Sequence, residues 1–513
     1  MHPKETMMFR WKRLAAVAAV VALGLTGCSA SSGGSEDAGG TLTLGQIVQP
    51  TTFAAAQSNW ANESPYMQAV YDTLLTADPK GEVQPGLATK WEYNDDKTQL
   101  TLTLRDDVKF TDGTALDAEA VAQNLVRFRD GAGPNASYLV DMTDAVATDA
   151  TTVTITLKAA NPALLTYLSQ NAGLVEAPSA FESSDIQTVP VGSGPYTLDT
   201  GATVIGTSYV FNKNPDYWNA ENQHYDKIVM NVYGDPTALL NAVKGGQVNA
   251  ANTLNNNDVA QMEASGFTAN PLELNWAGLT LMDRDGTVDP ALSNVKVRQA
   301  INYAFDKDAM LKTVESGFGT PTTQVFPERS AAYDKSLDSA YDYDPAKAKE
   351  LLAEAGYADG FDFTIIASAQ TQTDLQAVQK DLAAVGITMN VKLAASTDEA
   401  FAAVATTPLG YAPLGWDNPV GLMYGAILSG FTNVQKATDD QLTAATAEAA
   451  AAKDDAAKKA ALTKVNTRLV ESGWMIPLYE SLTNQGYNTK KVQQVKFAGT
   501  NVYPLLSSYA PTN

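Results

Sequence analysis

The chain has 513 residues, more than a single hydrophobic core accommodates, and its 57 acidic against 35 basic side chains leave a formal charge of −22. An acidic surface of this size excludes nucleic acid and anionic lipid headgroups as principal partners, because both need a positive face. One cysteine and two histidines exclude a disulfide framework and any metal site assembled from several thiolates and imidazoles.

Arg10, Lys12 and Arg13 precede an apolar run from Leu14 to Leu25, the layout of an export signal. Twelve helical residues reach about 18 Å, short of the ~30 Å hydrocarbon core, so the segment is expected to be removed and not to span. The run ends at Leu25-Thr26-Gly27-Cys28, and the whole block resembles a bacterial lipoprotein signal. The resemblance implies cleavage before Cys28 and lipid on its sulfur. Two acyl chains, at about 0.8 kcal/mol per buried CH₂, would then hold the protein at the outer face of the cell membrane. An ordinary secretory signal with an incidental cysteine is the alternative. Residues 29–40 carry no large apolar side chain and are expected to form a flexible tether with an r.m.s. reach of about 20 Å.

Thr41-Leu42-Thr43-Leu44 alternates like a strand and opens the fold. Leu100, Leu102 and Leu104, then Val153, Ile155 and Leu157, alternate with polar residues as half-buried strands do. Between them, Asp117 is placed to cap a helix that aligns Val121, Leu125 and Phe128 on one face. Asn294 is expected to cap a second helix, bearing Val297, Ile301 and Phe305. Asp344-Pro345 is expected to start a third, with Leu351 and Leu352 inward and Gly356 as its stop. Phe361–Ile365 and Ile387–Val391 read as later strands. The alanine-rich stretch from Asp439 to Ser472, with Leu462, Val465 and Leu469 in one stripe, reads as one or two packed helices. Strands and helices mixed without strict alternation predict α/β lobes with mixed sheets.

The same inventory limits chemistry. Gly192-Ser193-Gly194 lacks the outer glycine spacing of a nucleophile elbow and reads as a tight turn needing glycine's permissive φ. No glycine-rich phosphate loop ending in lysine is found. His224 reads as a surface residue, and Trp91, Trp218 and Trp474 as core. No catalytic residue, metal or cofactor is expected, which leaves a secreted hydrolase as the disfavoured alternative from another functional class.

Several motifs arrive in a fixed order: Gln84-Pro85-Gly86-Leu87-Ala88-Thr89-Lys90-Trp91-Glu92, then Leu104 to Thr114, Pro190-Val191-Gly192-Ser193-Gly194-Pro195-Tyr196, Asn214-Pro215-Asp216-Tyr217-Trp218, Asn294 to Ile301, and Tyr343 to Ala348. Together they resemble the bacterial extracellular solute-binding proteins of family 5, the dipeptide-, oligopeptide- and nickel-binding components of ABC importers. The resemblance implies a two-lobe periplasmic-binding-protein-like fold of class II. The first lobe would take 41–280 and 481–513, with an extra subdomain at about 66–189, and the second 281–480. The chain would cross near Trp276 to Asp283 and Ile476 to Leu482, and ligand would sit in the cleft between the lobes. Most of the motifs themselves read as structural, with Lys109–Gly113 a strand ending in an Asp-Gly turn.

The resemblance also implies a function: capture of a small solute, most readily a di- or oligopeptide, by a monomer that presents it to permease subunits. In peptide-binding members a Trp-containing loop supplies an aspartate for the peptide's α-ammonium. The matching place here is Gly415-Trp416-Asp417-Asn418-Pro419, making Asp417 the candidate amine anchor with Trp416 and Asn418 beside it. On the residues alone, Asp417 could equally cap the turn opening the next helix. Trp60, Trp276 and Tyr424 fall in segments that the family topology places near the cleft, where flat rings suit peptide side chains and sugars alike. An oligosaccharide receptor of the same fold, or a receptor serving a sensor and not an importer, remains the alternative.

Overall fold

A computed structural model describes residues 40–512, apart from 80, 132, 254–255, 329, 368–370, 395–402, 404–405, 416–430, 434 and 499–500. The signal, most of the tether and Cys28 lie outside the described residues.

A nine-stranded mixed sheet organises the chain. Its order is Leu409–Gly415, Phe267–Leu281, Met475–Asn488, Ala250–Thr253, Thr41–Gln46, Lys227–Val232, Ser208–Lys213 and Tyr196–Leu198, with Thr320–Pro321 added beside Met475–Asn488. Thr41–Gln46 runs parallel to both Lys227–Val232 and Ala250–Thr253, and the remaining pairs are antiparallel. The two longest strands, Phe267–Leu281 and Met475–Asn488, pair along nearly their whole length, from Phe267 opposite Asn488 to Thr280 opposite Met475. One end of this ribbon adjoins Ala250–Thr253 and the other adjoins Leu409–Gly415 and Thr320–Pro321.

The expected local elements form where periodicity placed them, except that the Asn294-capped helix Val295–Tyr303 ends before Phe305. Leu100, Leu102 and Leu104 face Val153, Ile155 and Leu157 inside a four-stranded antiparallel sheet covered by the helix Ala118–Asp130. Each such side chain, once buried, is worth roughly 1.5–3 kcal/mol. Asp117 accepts from the Ala120 amide at 2.9 Å, Asn294 from Lys296 at 3.0 Å and Asp344 from Lys347 at 2.8 Å, so each satisfies an otherwise unpaired helix-start donor. Phe361–Ala367 and Ile387–Leu393 pair in parallel, with the helix Gln372–Ala384 between them in sequence. The alanine-rich stretch forms two helices, Asp440–Ala451 and Asp455–Glu471, capped by Asp439 and Asp454.

Three local expectations are corrected. Lys109–Gly113 is a turn closed by a single bridge between Lys109 and Ala115, because Asp112 turns back to the Thr114 amide at 2.9 Å. Gly192 and Gly194 are required by close approach and not by φ: a Cβ on Gly192 would lie 2.1 Å from the Val70 carbonyl oxygen, and one on Gly194 2.4 Å from the Val70 carbonyl carbon. Trp91 and Trp218 are only half-buried at the edge of the core, and Trp218 lies under the Arg105 guanidinium at 4.1 Å. An indole N–H needs an acceptor, and Trp218 finds one in Asp72 at 3.0 Å. Asp72 also receives Tyr217 Oη at 2.9 Å and Ser193 Oγ at 2.8 Å, so one carboxylate ties together two of the ordered motifs. Burial pushes Asp72 up to about 6 while these donors pull against it.

A second buried carboxyl, Glu176, is 1% exposed. Tyr71 Oη lies 2.7 Å from the Phe53 carbonyl oxygen and 2.9 Å from Glu176 Oε1, yet its hydroxyl has one hydrogen to donate. The single hydrogen is therefore shared between the two acceptors, and neither bond is at full strength. Burial pushes Glu176 up to about 7, opposed by Tyr71 and by the Arg127 charge. The folded state therefore holds the Glu176 proton more tightly than the unfolded chain, so stability falls as pH rises from about 4.5 to about 7. Glu176→Gln is expected to match the parent near pH 4.5 and to exceed it above pH 7 by on the order of 3 kcal/mol. Paired thermal melts check this, and a difference that is the same at both pH values would count against it.

Candidate functional site

In open α/β sheets ligands bind outside the carboxyl ends of the strands. Here the carboxyl ends of the parallel strands Thr41–Gln46 and Ala250–Thr253, and of the parallel pair Phe361–Ala367 and Ile387–Leu393, open into the segments beginning at 47, 254, 368 and 394. Strand Leu409–Gly415 ends opposite Asn275 of the long ribbon, immediately before Trp416 in sequence.

Polar side chains from distant parts of the chain converge at these ends. Asp374 stands in the first turn of Gln372–Ala384, after strand Phe361–Ala367. Tyr479, from the long ribbon, donates to Asp374 Oδ1 at 3.3 Å, and the Tyr411 hydroxyl lies 3.3 Å from that of Tyr479. Burial pushes Asp374 up to about 6, the nearby Glu315 charge adds to the rise, and the Tyr479 hydrogen bond opposes it. Glu315 follows the helix Lys307–Val314, and it too is raised, by burial, against one hydrogen bond from Asn256 Nδ2 at 2.8 Å. Asn484 on the ribbon donates in turn to Asn256 Oδ1. A chain of contacts thus joins the segment after Ala250–Thr253, the ribbon, and the two helices that begin at Lys307 and Gln372.

A row of side-chain amides crosses the large sheet near the ends of these strands. Gln46, Asn252 and Gln485 stand on three neighbouring strands, with Asn252 directly opposite Gln485. They are 2%, 0% and 1% exposed, and each has a carbonyl oxygen with no hydrogen-bond partner among the described residues. Such an oxygen in a dry setting demands a donor.

The residues singled out from sequence are distributed as follows. Trp60 is 4% exposed, and its Nε1–H donates to Asn501 Oδ1 at 2.7 Å. It borders a cavity of about 180 Å³ shared with Gln68, Asp72, Trp218 and Asn501. Trp276 lies on the ribbon, 2% exposed, packed with Phe326, Leu442, Trp474 and Met475. Trp416, Asp417, Asn418 and Tyr424 lie outside the described residues. Asp374, Glu315, Tyr411 and Tyr479 were not singled out from sequence. The only signal for Asp374 was its place just after a strand at a helix start, and the others carry no motif. Among the described residues no cluster of His, Cys, Asp or Glu could hold a metal ion, and no helix is long and apolar enough to cross a membrane.

Comparison with known proteins adds three findings. Residues 82–451 match the family model described as bacterial extracellular solute-binding proteins, family 5, middle. The chain is 34% identical over 382 residues to the glutathione-binding protein GsiB of Escherichia coli O1:K1, covering 69% of this chain and 73% of that protein. It is 33% identical over 358 residues to GsiB of Escherichia coli K12, covering 66% and 68%. Among solved structures, the Helicobacter pylori periplasmic binding protein DppA in complex with the peptide STSA superposes with a TM-score of 0.79 at 21% identity, over 92% of this chain and 98% of that one. NikA from Brucella suis in complex with Fe(III)-EDTA gives 0.79 at 24% identity, over 92% and 100%. These superpositions show the two-lobe periplasmic-binding fold.

Proposed function

Because the chain belongs to the bacterial extracellular solute-binding proteins of family 5, we propose that it captures a short peptide in the cleft between its lobes and delivers it to the permease of an ABC importer. The observation that carries the peptide reading is the likeness, over two thirds of both chains, to proteins named for binding glutathione, which is itself a tripeptide. The convergence of Asp374, Tyr411 and Tyr479 beside the strand that leads into Asp417 supports it, because an enclosed ammonium needs charged and hydrogen-bonding partners.

We place the first lobe at 41–280 and 481–513, including the extra subdomain at about 66–189, and the second at 281–480. The grouping of buried side chains supports this division, with one cluster drawn from Leu74 to Ala177 and another from Ala277 to Tyr479. Closure follows if ligand touches both lobes only when they approach, since binding then shifts the population by the difference in affinity between the states. The signal and Cys28 support lipid anchoring at the outer face of the cell membrane, and the reading is of a monomer that works without a covalent step or cofactor.

Native mass spectrometry of protein purified without refolding tests the reading through any co-purified peptide. Asp417→Ala is expected to weaken peptide binding at least tenfold while the melting temperature of the empty form stays unchanged. An equal loss of empty-form stability would mark Asp417 as a turn cap, and a co-purified sugar would overturn the peptide reading.

A further inference from the structure

Away from the paired strands, the proposed division between lobes is crossed where the segment after Ala250–Thr253 meets the end of the helix Lys307–Val314. Asn256 Nδ2 donates to Glu315 Oε2 at 2.8 Å, and Asn256 Oδ1 accepts from Asn484 on the ribbon. The neighbouring pair, Asn257 and Ser316, is exposed. Ser316 Oγ donates to Asn257 Oδ1, while Asn257 Nδ2 lies 3.5 Å from the Val314 carbonyl oxygen, one of those that a helix leaves open at its end.

Two features mark this junction as one that can part. It lies between separate cores: Met310 and Leu311 of the helix belong to the cluster drawn from Ala277 to Tyr479, whereas Met262 and Phe267 cluster with Leu239 and Val248. Polar side chains make the contact, so water can replace the partners when they separate. The second feature is the backbone of Ser316. Its φ of +54° is left-handed, a conformation that glycine adopts freely after a helix and that a residue with a Cβ adopts under strain. Gly317 follows at +85°, so the turn itself suits glycine. A serine there is explained by its hydroxyl, which reaches across to Asn257.

Resting on the receptor reading above and its division into lobes, we propose that Asn257 and Ser316, backed by Asn256 and Glu315, form a latch beside the ribbon that favours the closed arrangement of the lobes before ligand binds. Opening about the crossings at Trp276 to Asp283 and Ile476 to Leu482 carries the two segments apart, and a hydrogen bond is lost once donor and acceptor separate beyond about 3.5 Å. The empty protein then already populates the closed state, and ligand supplies only the remaining difference in affinity. Weakening the latch lowers the apparent affinity for any cargo by the factor it removes from the closed population. No contact with ligand is required of these four side chains.

Small-angle X-ray scattering of the purified, ligand-free full chain tests this with Ser316→Gly, Ser316→Ala and Asn257→Ala, each curve fitted as a mixture of closed and open forms. All three are expected to lower the closed-to-open ratio about fivefold, the contribution of one hydrogen bond, although glycine relieves the left-handed turn and alanine does not. Melting temperature should therefore separate variants that scattering does not, with Ser316→Gly at or above the parent. A parent-like curve for any of the three, or opening that tracks the loss of stability across the series, would overturn the latch. Trialanine and glutathione added to the parent test the receptor reading by itself. Compaction by either, with the variants unchanged when empty, sinks the latch alone. One rigid shape in every sample, unaltered by both peptides, sinks the latch and the receptor together.

Discussion

Gly278→Ala is expected to cost on the order of 3 kcal/mol or more and to disrupt the long two-stranded ribbon. A Cβ at this position would lie 2.2 Å from the Ile476 carbonyl oxygen and 3.0 Å from Pro477 Cα, all backbone of the facing strand. A flexible side chain could swing aside, but a paired strand cannot move without giving up ladder hydrogen bonds. The crowding has a local cause. The register shifts between Ala277 and Gly278, where one residue faces Pro477, which has no N–H to contribute. A proline inside a long strand is tolerated at such a bulge, and the glycine opposite lets the backbones close over it. Thermal melts of the empty form check the expectation, and a melting temperature within a degree of the parent would refute it. A ligand-induced shift retained in a less stable variant would show that the bulge serves stability and not closure.

Arg298→Ala is the second large expected effect, at roughly 3–5 kcal/mol. Arg298 is buried and reaches three backbone carbonyls, those of Ser472 at 3.0 Å, Leu292 at 2.9 Å and Ser293 at 3.0 Å. Arg284 works beside it, donating to the Trp474 carbonyl at 3.0 Å and that of Thr432 at 2.8 Å, its guanidinium 4.3 Å from the Trp474 ring. Neither guanidinium is ion-paired among the described residues, and burial pulls both down, Arg284 to about 9. They take up the carbonyls that follow the helix Asp455–Glu471, where the second long strand begins, so the entry to the ribbon is held by donors that nothing else replaces. Truncation to alanine leaves the Ser472 and Leu292 carbonyls dry. Arg298→Met separates the causes, since methionine restores volume without donors. Equal losses for the two variants, measured by denaturant midpoint at constant slope, are expected, and recovery in the methionine variant would assign the effect to packing.

Much of the scaffold was readable without coordinates, for reasons visible in particular residues. Leu100, Leu102 and Leu104 declare a strand by alternation, and Asp117, Asn294 and Asp344 declare helix starts through bonds that span two or three residues. The Gly192-Ser193-Gly194-Pro195 turn was legible as a turn but not in its cause, because the Val70 backbone that crowds it is more than a hundred residues away in sequence. Trp218 misled for a related reason: a large apolar ring suggests a core, whereas its N–H and the Arg105 above it hold it at the surface of one.

Composition, element order and family were determined by the sequence alone, since charge balance, periodicity and capping act over a few residues and survive any arrangement of the chain. The tertiary structure decided which groups meet. Asn256 reaches Glu315 across 59 residues and Tyr479 reaches Asp374 across 105, contacts that carry no local signature. What sets Tyr479 and Asn484 within reach of these partners is the pairing of two long strands distant in sequence.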